Sequence, residues 1–232
     1  MRTLTYSVVI PTLNEREHLK RCLSRIREQD AGAEITVVDG GSDDDTVAIA
    51  TSENVVVRRS RRGRGTQCNA GAAHSSGDIL LFLHADTLLP GNAFEILDAY
   101  FDNPQVQVGT FRLGFDNPHW ILKGYAQFTR FNSYFTKFGD QCIVVRASFF
   151  RECGGFPDWP LFEDVRFLQH ARTKTRIYCF PAAVVTSARR YFNHGLIRQQ
   201  ARSAWLLILF RLGVSPETLA RKYEAPGKNR RP

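Results

Sequence analysis

The stretch EITVVDGGSDDDT (34–46) decides the fold class, because a mostly apolar run ends in an aspartate and is followed by a glycine turn and a helical pattern. Three further runs of this kind surround it, namely YSVVIP (6–11), NVVVR (54–58) and GDILLFLHAD (77–86). Helical patterns separate the four runs and follow the last one, at residues 15–29, 44–52, 65–76 and 90–101. Strands that alternate with helices of this length indicate βαβ units. We predict an α/β fold with a mostly parallel central sheet and helices on both faces.

The pattern changes after residue 103. Residues 105–115 alternate like a half-exposed strand, and an aromatic-rich helical stretch covers residues 120–138. Further strands are predicted at residues 141–146, 176–180 and 182–187, and further helices at 160–173 and 196–212. We predict one domain over residues 1–232, made of a first half (1–103), a substrate-facing half (104–188) and a basic C-terminal segment (189–232).

Composition and charge exclude several classes of protein. Hydrophobic residues make up 43% and charged residues 23% of the 232 residues, which is typical of a globular chain and excludes a disordered tail, a collagen and a coiled coil. The net charge of +8 lies in residues 189–232, where ten Lys and Arg face two Glu, while residues 1–188 carry 21 of each sign. Such a basic segment indicates phosphates, an anionic membrane surface or nucleic acid, or else a solvated tail.

The cysteines and the apolar runs indicate in which cellular compartment we expect the protein. The five cysteines form no CxxC pair, which favours reduced thiols over a disulfide frame or a zinc site. The longest apolar run, residues 204–210, is much shorter than the ~20 residues that span a bilayer, and no leader-like pattern opens the chain. We therefore predict a cytoplasmic protein, with peripheral contact at the inner membrane face left open.

Carboxylates stand where parallel sheets gather ligands, at the carboxyl ends of strands. Asp39 ends the second predicted strand and Asp86 the fourth, while Glu163 and Asp164 stand at the start of a helix. Residues 43–45 could instead form an ordinary turn and helix cap. The first strand is followed by PTLNE rather than by glycines, so a dinucleotide fingerprint and a Walker loop are both absent. The remaining way to hold a diphosphate is a divalent metal on a carboxylate such as Asp86, aided by nearby arginines.

Four motifs resemble, in order, those of the family 2 glycosyltransferases, which have the GT-A fold. They are SVVIPTLNE (7–15), VVDGGSDDDT (37–46), GDILLFLHADT (77–87) and GGFPDWPLFEDVRF (154–167). The resemblance covers roughly residues 7–223. A narrower similarity is to the arsenosugar-biosynthesis or radical-SAM/selenodomain-associated branch of the family. It rests on LHADT (83–87), GDQ (139–141) and GGFPDWPLFEDVRF (154–167) taken together.

The resemblance implies a UDP- or GDP-linked sugar donor, a hydroxyl-bearing acceptor and a divalent metal, Mn²⁺ or Mg²⁺. It implies that Asp39 accepts from the nucleobase and that Asp86, the last position of a D-x-D-like motif, holds the metal; His84 replaces the first aspartate of that motif. Asp164 matches the general base. The full donor set is Pro11, Thr12, Asn14, Glu15, Asp39, Arg64, Gln67, Ala85 and Asp86, and the acceptor-side set is Asp140, Trp159 and Glu163.

The function implied by the resemblance is inverting, metal-dependent transfer of one sugar to a small hydroxyl acceptor, as in arsenosugar-type biosynthesis. Gln199 and Arg202 match the spacing of the Q-x-x-R-W motif of processive members, but Ser203 follows where that motif has Trp, so we expect single-sugar transfer. Arg189, Arg190 and His194 could fold over the diphosphate, with His194 as a possible metal ligand.

Other functions remain open at this stage. They are a polyprenyl-phosphate glycosyltransferase at the membrane surface, a sugar-phosphate nucleotidyltransferase, and a non-catalytic module that binds phosphate or nucleic acid. The last of these would leave the strand-end carboxylates without a purpose, so we expect no nucleic-acid partner. The final helix could dock on the body, form a homodimer or lie on a membrane.

Overall fold

The computed structural model describes residues 4–30, 32–131, 139–189 and 195–224. Its strands are β1 (Tyr6–Thr12), β2 (Glu34–Asp39), β3 (Val56–Arg59), β4 (Ile79–Phe82), β5 (Thr87–Leu88), β6 (Val108–Phe115), β7 (Ile143–Arg146) and β8 (Ile177–Thr186). Its helices are α1 (Leu19–Arg27), α2 (Thr46–Ser52), α3 (Arg64–Ala72), α4 (Ala93–Phe101), α5 (Trp120–Phe128), α6 (Ala147–Glu152), α7 (Glu163–Lys174), α8 (Leu196–Arg211) and α9 (Pro216–Glu224). A short 3₁₀ turn covers Gly139–Gln141.

The strands form one sheet in the order β3-β2-β1-β4-β7-β6-β8-β5. The first four strands are parallel to one another. β7 runs antiparallel to both of its neighbours, β6 and β8 are parallel, and β5 is antiparallel to β8. The predicted α/β fold with a mostly parallel sheet is confirmed.

Helices cover both faces of this sheet because the side chains of a strand alternate between its faces. Val8 and Ile10 of β1 belong to the core cluster that contains the apolar sides of α1 and α4. Val9 belongs to the opposite cluster, with residues of α3, α6 and α7. Strands buried on both faces read as continuous apolar runs, which is why β1, β2 and β4 were predictable. β3 lies at the edge of the sheet and is mostly exposed.

Several predicted boundaries differ from the observed ones. The two strands predicted at 176–180 and 182–187 are the single strand β8, in which the register with β6 shifts between Thr110 and Arg112. Pro181 lies in β8 opposite this irregularity, where a residue without an N–H is tolerated. β4 ends at Phe82, so Asp86 lies in the turn before β5 and not at the strand end. The helix predicted over 120–138 ends at Phe128, and residues 129–131 form a turn and a bend instead. Residues 132–138 of that prediction lie outside the described part.

The C-terminal helices pack on the body and on each other. Leu206 and Leu207 of α8 and Leu219 of α9 are buried, and the Arg202 guanidinium of α8 donates to the Lys222 carbonyl of α9 over 2.7 Å. Among the described residues, no helix combines the length and the apolar character that crossing a membrane requires. The division into two halves and a C-terminal segment stays a prediction.

Candidate active site

The loops that follow β1 and β2 form one rim at the carboxyl edge of the sheet. The Asn14 N–H donates to the Ser42 hydroxyl over 3.0 Å, and the Asp43 N–H donates back to Asn14 Oδ1 over 3.0 Å. Asn14 has a φ of +56°, a conformation that asparagine tolerates better than most residues. The Glu15 N–H donates to the Thr46 hydroxyl at the start of α2 over 2.8 Å. These bonds hold the predicted donor residues Asn14 and Glu15 against the second loop.

Asp39 ends β2 and is buried. Its carboxylate accepts from the Gly41 N–H over 3.0 Å and from the Ser42 hydroxyl over 2.5 Å. It therefore shapes the turn after β2, where Gly41 has a φ of +94°. A carboxylate has about four acceptor sites, and the nucleobase contact of Asp39 stays a prediction.

Gln67 lies on α3 underneath this rim and is buried. Its side-chain amide donates to the Thr12 carbonyl over 2.8 Å and to the Val38 carbonyl over 2.7 Å. Both amide protons are thus used to join the ends of β1 and β2. The contact that the structure gives Gln67 is with the backbone, and its contact with donor phosphates stays a prediction.

Asp86 lies in a turn between β4 and β5, next to the buried Ala85. Its carboxylate is half-buried and lies 3.3 Å from the Thr87 hydroxyl. Its backbone carbonyl accepts from the Ser187 N–H over 3.1 Å. Within the described part of the chain, no group of three or more His, Cys, Asp or Glu side chains is arranged to hold a metal ion.

A second acidic cluster forms where α7 begins. Asp164 is buried, and its two oxygens accept from the Gly139 N–H over 2.5 Å and from the Val165 N–H over 2.7 Å. A Cβ at Gly139 would stand 3.0 Å from Asp164 Oδ2, so this approach requires glycine. The Arg64 guanidinium of α3 lies 3.7 Å from Glu163 Oε1. The structure therefore joins three separate sequence motifs around Asp164.

Two acids of this cluster, Asp140 and Glu163, have pKa values that burial raises. Burial, then the Asp164 charge, raises the pKa of Asp140 to about 7, while Arg64 acts in the opposite direction. Burial also raises the pKa of Glu163 above its usual range, although Arg64 opposes this shift. Asp140 Oδ1 and Glu163 Oε1 are both buried and accept no hydrogen bond from the residues that the structure describes. A ligand that donates hydrogen bonds would satisfy both oxygens.

A small cavity connects the acidic cluster with the strand-end loops. Its walls include Pro11 near the end of β1, Arg64, His84, Gly139, Glu163 and Asp164. Of the predicted site residues, Pro11, Arg64, Glu163 and Asp164 thus line one cavity, whereas its described walls do not include the predicted strand-end carboxylates Asp39 and Asp86.

The segment after β8 crosses the rim. The Arg189 guanidinium lies 3.2 Å from Glu15 Oε2 and 3.5 Å from Glu17 Oε2. The Ala188 N–H donates to Asp116 Oδ1 over 2.8 Å. Arg190 and His194, which could also face the diphosphate, lie outside the described residues.

Trp159 precedes the acidic pair and is partly covered by α8. Its ring lies 6.0 Å from the Phe210 ring, edge to face, and the Arg166 guanidinium lies 6.0 Å from its centroid. Phe162, with a φ of +65°, packs on Phe210 at 4.9 Å. Sequence reasoning missed Phe162 and Phe210, because two phenylalanines 48 positions apart carry no signal that they meet.

The family model for glycosyl transferase family 2 matches residues 7–153. The chain belongs to this family. The match covers the donor-side motifs of this family 2 chain, whereas Trp159, Glu163 and Asp164 lie beyond it.

Curated relatives match this family 2 chain over a limited region. A PGL/p-HBAD biosynthesis glycosyltransferase of Mycobacterium bovis is 38% identical over 92 residues, which are 36% of this chain and 36% of the relative. An undecaprenyl-phosphate 4-deoxy-4-formamido-L-arabinose transferase of Sodalis glossinidius is 36% identical over 96 residues, which are 36% of this chain and 29% of the relative. The matched regions thus span about a third of these relatives.

Solved structures show the same fold at low sequence identity. The mannosyltransferase PcManGT from Pyrobaculum calidifontis, solved with GDP-Man and Mn²⁺, has a TM-score of 0.68 at 18% identity, covering 97% of this chain and 71% of that one. S. aureus TarS 1-349 has a TM-score of 0.64 at 19% identity, covering 82% of this chain and 62% of that one. The fold of this family 2 chain is therefore that of GT-A glycosyltransferases.

Proposed function

We propose that this chain is an inverting glycosyltransferase that moves one sugar from a nucleoside-diphosphate donor to a hydroxyl acceptor. The observation that carries this proposal is the cavity that Asp164 shares with His84 and Pro11. It brings a buried carboxylate, held by two backbone N–H groups, next to the carboxyl end of β1 and the loop that follows β4. A single displacement requires a base that takes the proton of the attacking hydroxyl and, facing it, a surface that binds the sugar donor.

On the donor side, we assign the base and ribose to the rim built by Pro11, Thr12, Asn14, Glu15 and Asp39. Arg64, Ala85 and Asp86 would face the diphosphate, and Gln67, whose two amide protons go to backbone carbonyls, would support them from beneath the rim. This assignment is supported by the family match over residues 7–153. It is also supported by the ligands of the structural neighbours, which are GDP-Man with Mn²⁺ in PcManGT and UDP-GlcNAc in S. aureus TarS.

The residues around Asp86 fit a divalent cation that the donor helps to bind. Mg²⁺ and similar ions are commonly held by one or two carboxylates together with substrate phosphates. Asp86 offers one half-buried carboxylate, and the imidazole of His84 could add a ligand. When bound, such a cation would stabilise negative charge on the departing diphosphate.

On the acceptor side, Asp164 would take the proton of the attacking hydroxyl. A bond forms between that oxygen and the anomeric carbon, the bond from this carbon to the diphosphate oxygen breaks, and the attack from the opposite face inverts the centre. The two N–H donors on the Asp164 carboxylate orient it without using all of its lone pairs. Asp140 and Glu163 would accept hydrogen bonds from further hydroxyls of the acceptor, and Trp159 would line its path.

The charge of the acceptor side favours a neutral acceptor group. Among the described residues, the charges of Glu163, Asp164 and Asp140 act on the Arg64 guanidinium, so a phosphate acceptor would meet more negative than positive charge there. We therefore favour a hydroxyl acceptor over a polyprenyl phosphate, although the Sodalis relative is named for a transfer to undecaprenyl phosphate. A small cytoplasmic acceptor of the arsenosugar type belongs to this class and remains part of the proposal.

Nucleotide binding tests the donor side directly. The thermal unfolding of the chain is measured with UDP, GDP, CMP and dTDP, each with and without Mn²⁺, for the natural chain and for Asp86→Ala. We expect one nucleotide with Mn²⁺ to stabilise the natural chain by about 3 kcal/mol at a hundredfold excess over its Kd, which raises the Tm by several degrees. Asp86→Ala should lose the part of this response that needs the metal.

The matched control is Asp102→Ala, which removes an exposed aspartate after α4. It should respond like the natural chain. An equal response in Asp86→Ala, or no response to any nucleotide, would contradict the proposed function.

A further inference from the structure

Helix α8 has a second apolar side that the described part of the body leaves exposed. Its docked side holds Leu206 and Leu207, which are buried, and Phe210, which packs on Phe162. On the other side, Trp205 is 48%, Ile208 55% and Leu212 75% exposed. Residues spaced by three and four positions share one side of a helix. We call these three residues the exposed stripe.

Basic groups lie beside the exposed stripe. Arg211 of α8 is exposed, and the Lys222 ammonium of α9 lies 5.1 Å from the centroid of the Trp205 ring. Arg221 of α9 is exposed as well. The sequence of α8 contains three arginines and no acidic residue. The surface therefore combines large apolar side chains, one of them a tryptophan, with positive charge.

We propose that the exposed stripe and its basic neighbours form a docking surface for an anionic lipid bilayer. A helix with apolar residues on one side and Lys or Arg at its flanks lies in the membrane interface, with the apolar side among the acyl chains and the cations at the headgroups. Tryptophan favours this boundary because its ring is both apolar and polar. The long stems of arginine and lysine reach the headgroups from the helix flanks.

Charge favours a bilayer over a second copy of the chain. Two α8 helices packed stripe to stripe would bring their arginines together without a carboxylate on either helix, and like charges in an interface cost free energy. Nucleic acid would use the cations but would leave the exposed stripe in water. An anionic bilayer satisfies both the charge and the apolar side chains.

The surface also bears on the proposed function, on which this step rests. Phe210 turns towards the body from the same helix and contacts Phe162, the residue before the acidic pair Glu163 and Asp164. Binding of α8 to a membrane would thus hold the acceptor side next to the bilayer. The acceptor class that this arrangement fits is a lipid that carries a free hydroxyl.

Vesicle flotation of the full chain tests the docking surface. The probes are vesicles of phosphatidylcholine alone and of an equimolar mixture with phosphatidylglycerol. We expect binding to the mixed vesicles only, and weakening by high salt. Each basic residue near an anionic surface contributes about a fivefold gain in affinity, so Arg211→Gln with Arg221→Gln should weaken binding about 25-fold.

Two matched pairs of variants separate the exposed stripe from other apolar surface. Trp205→Ser with Ile208→Ser should abolish flotation, whereas Trp120→Ser, which changes a tryptophan that is 76% exposed on α5, should float like the natural chain. A blue shift of tryptophan fluorescence on the mixed vesicles should disappear in Trp205→Phe and persist in Trp120→Phe.

Failure of the docking surface and failure of the proposed function are distinguishable. Asp86→Ala should float like the natural chain, and the stripe variants should keep their response to nucleotide. The proposal is overturned if the chain ignores the mixed vesicles, if the stripe variants float equally well, or if the stripe instead drives self-association in the absence of lipid.

Discussion

The carboxylate of Asp164 is fixed at both oxygens by backbone N–H groups, and its proposed role depends on its charge. Asparagine has nearly the same shape but cannot take a proton. We expect Asp164→Asn to lower turnover by at least about a hundredfold and to leave the nucleotide-induced rise in Tm unchanged. The measurement is release of nucleoside diphosphate from UDP- and GDP-sugars in the presence of hydroxyl acceptors. Loss of nucleotide binding in Asp164→Asn would contradict the assigned role, and Asp102→Asn serves as the neutral control.

Asp140 makes the stability of the chain depend on pH, because burial raises its pKa from 3.8 to about 7. Between these values the folded state binds more protons than the unfolded state, so the free energy of unfolding falls as the pH rises. Asp140→Asn removes this dependence. We expect the variant to match the natural chain near pH 4 and to exceed it above pH 7 by an amount on the order of 3 kcal/mol. Urea unfolding across this range checks the prediction, and a difference that does not vary with pH would refute it.

Gln67 joins two elements, because its amide holds the carbonyls at the ends of β1 and β2. Leucine has a similar volume but would leave the Thr12 and Val38 carbonyls without this donor. We expect Gln67→Leu to lower the free energy of unfolding by about 2 kcal/mol. Gln105→Leu, at an exposed position before β6, should change it by less than about 0.5 kcal/mol. Denaturant unfolding of both variants makes the comparison, and equal effects would show that the clamp is unimportant.

The length and the apolar pattern of an element decide whether the sequence predicts it. β1, β2 and β4 with α1 and α4 repeat an apolar period over enough residues to be recognised. β5 has two residues and α6 has six, so neither covers two periods of its pattern. β8 was divided into two strands because Pro181 interrupts its pattern, although β6 pairs with it on both sides of the proline.

The candidate site was predictable only in part. The position of Glu163 and Asp164 in the first turn of α7 followed from the local pattern of loop and helix. The contacts that shape the site did not: Gly139 and Asp164 are 25 positions apart, and Glu15 and Arg189 are 174 apart. Such pairs depend on how the sheet reverses direction at β7, which no local period encodes.

Across the whole molecule, Arg189 ties the C-terminal part of the chain to the loop after β1. Its ion pair with Glu15 is partly buried, with side-chain exposures of 33% and 11%. We expect Arg189→Ala to lower the free energy of unfolding by about 1 kcal/mol. Lys20→Ala, which breaks an exposed pair with Glu53, should cost no more than about 0.5 kcal/mol. Thermal unfolding at low and high salt measures both, and a larger loss in Lys20→Ala would contradict this ranking.

The pairing of β5 with the end of β8 determines when, during synthesis of the chain, the turn that carries Asp86 can be completed. β5 directly follows Asp86 and pairs with Val185 and Thr186. The Asp86 carbonyl accepts a hydrogen bond from the Ser187 N–H. On the ribosome, β1 to β4 can pair while the rest of the chain is still being made. The turn that carries Asp86 acquires its partners only about a hundred residues later in synthesis. A nascent chain can therefore form the first four strands of the sheet well before the proposed donor site is complete.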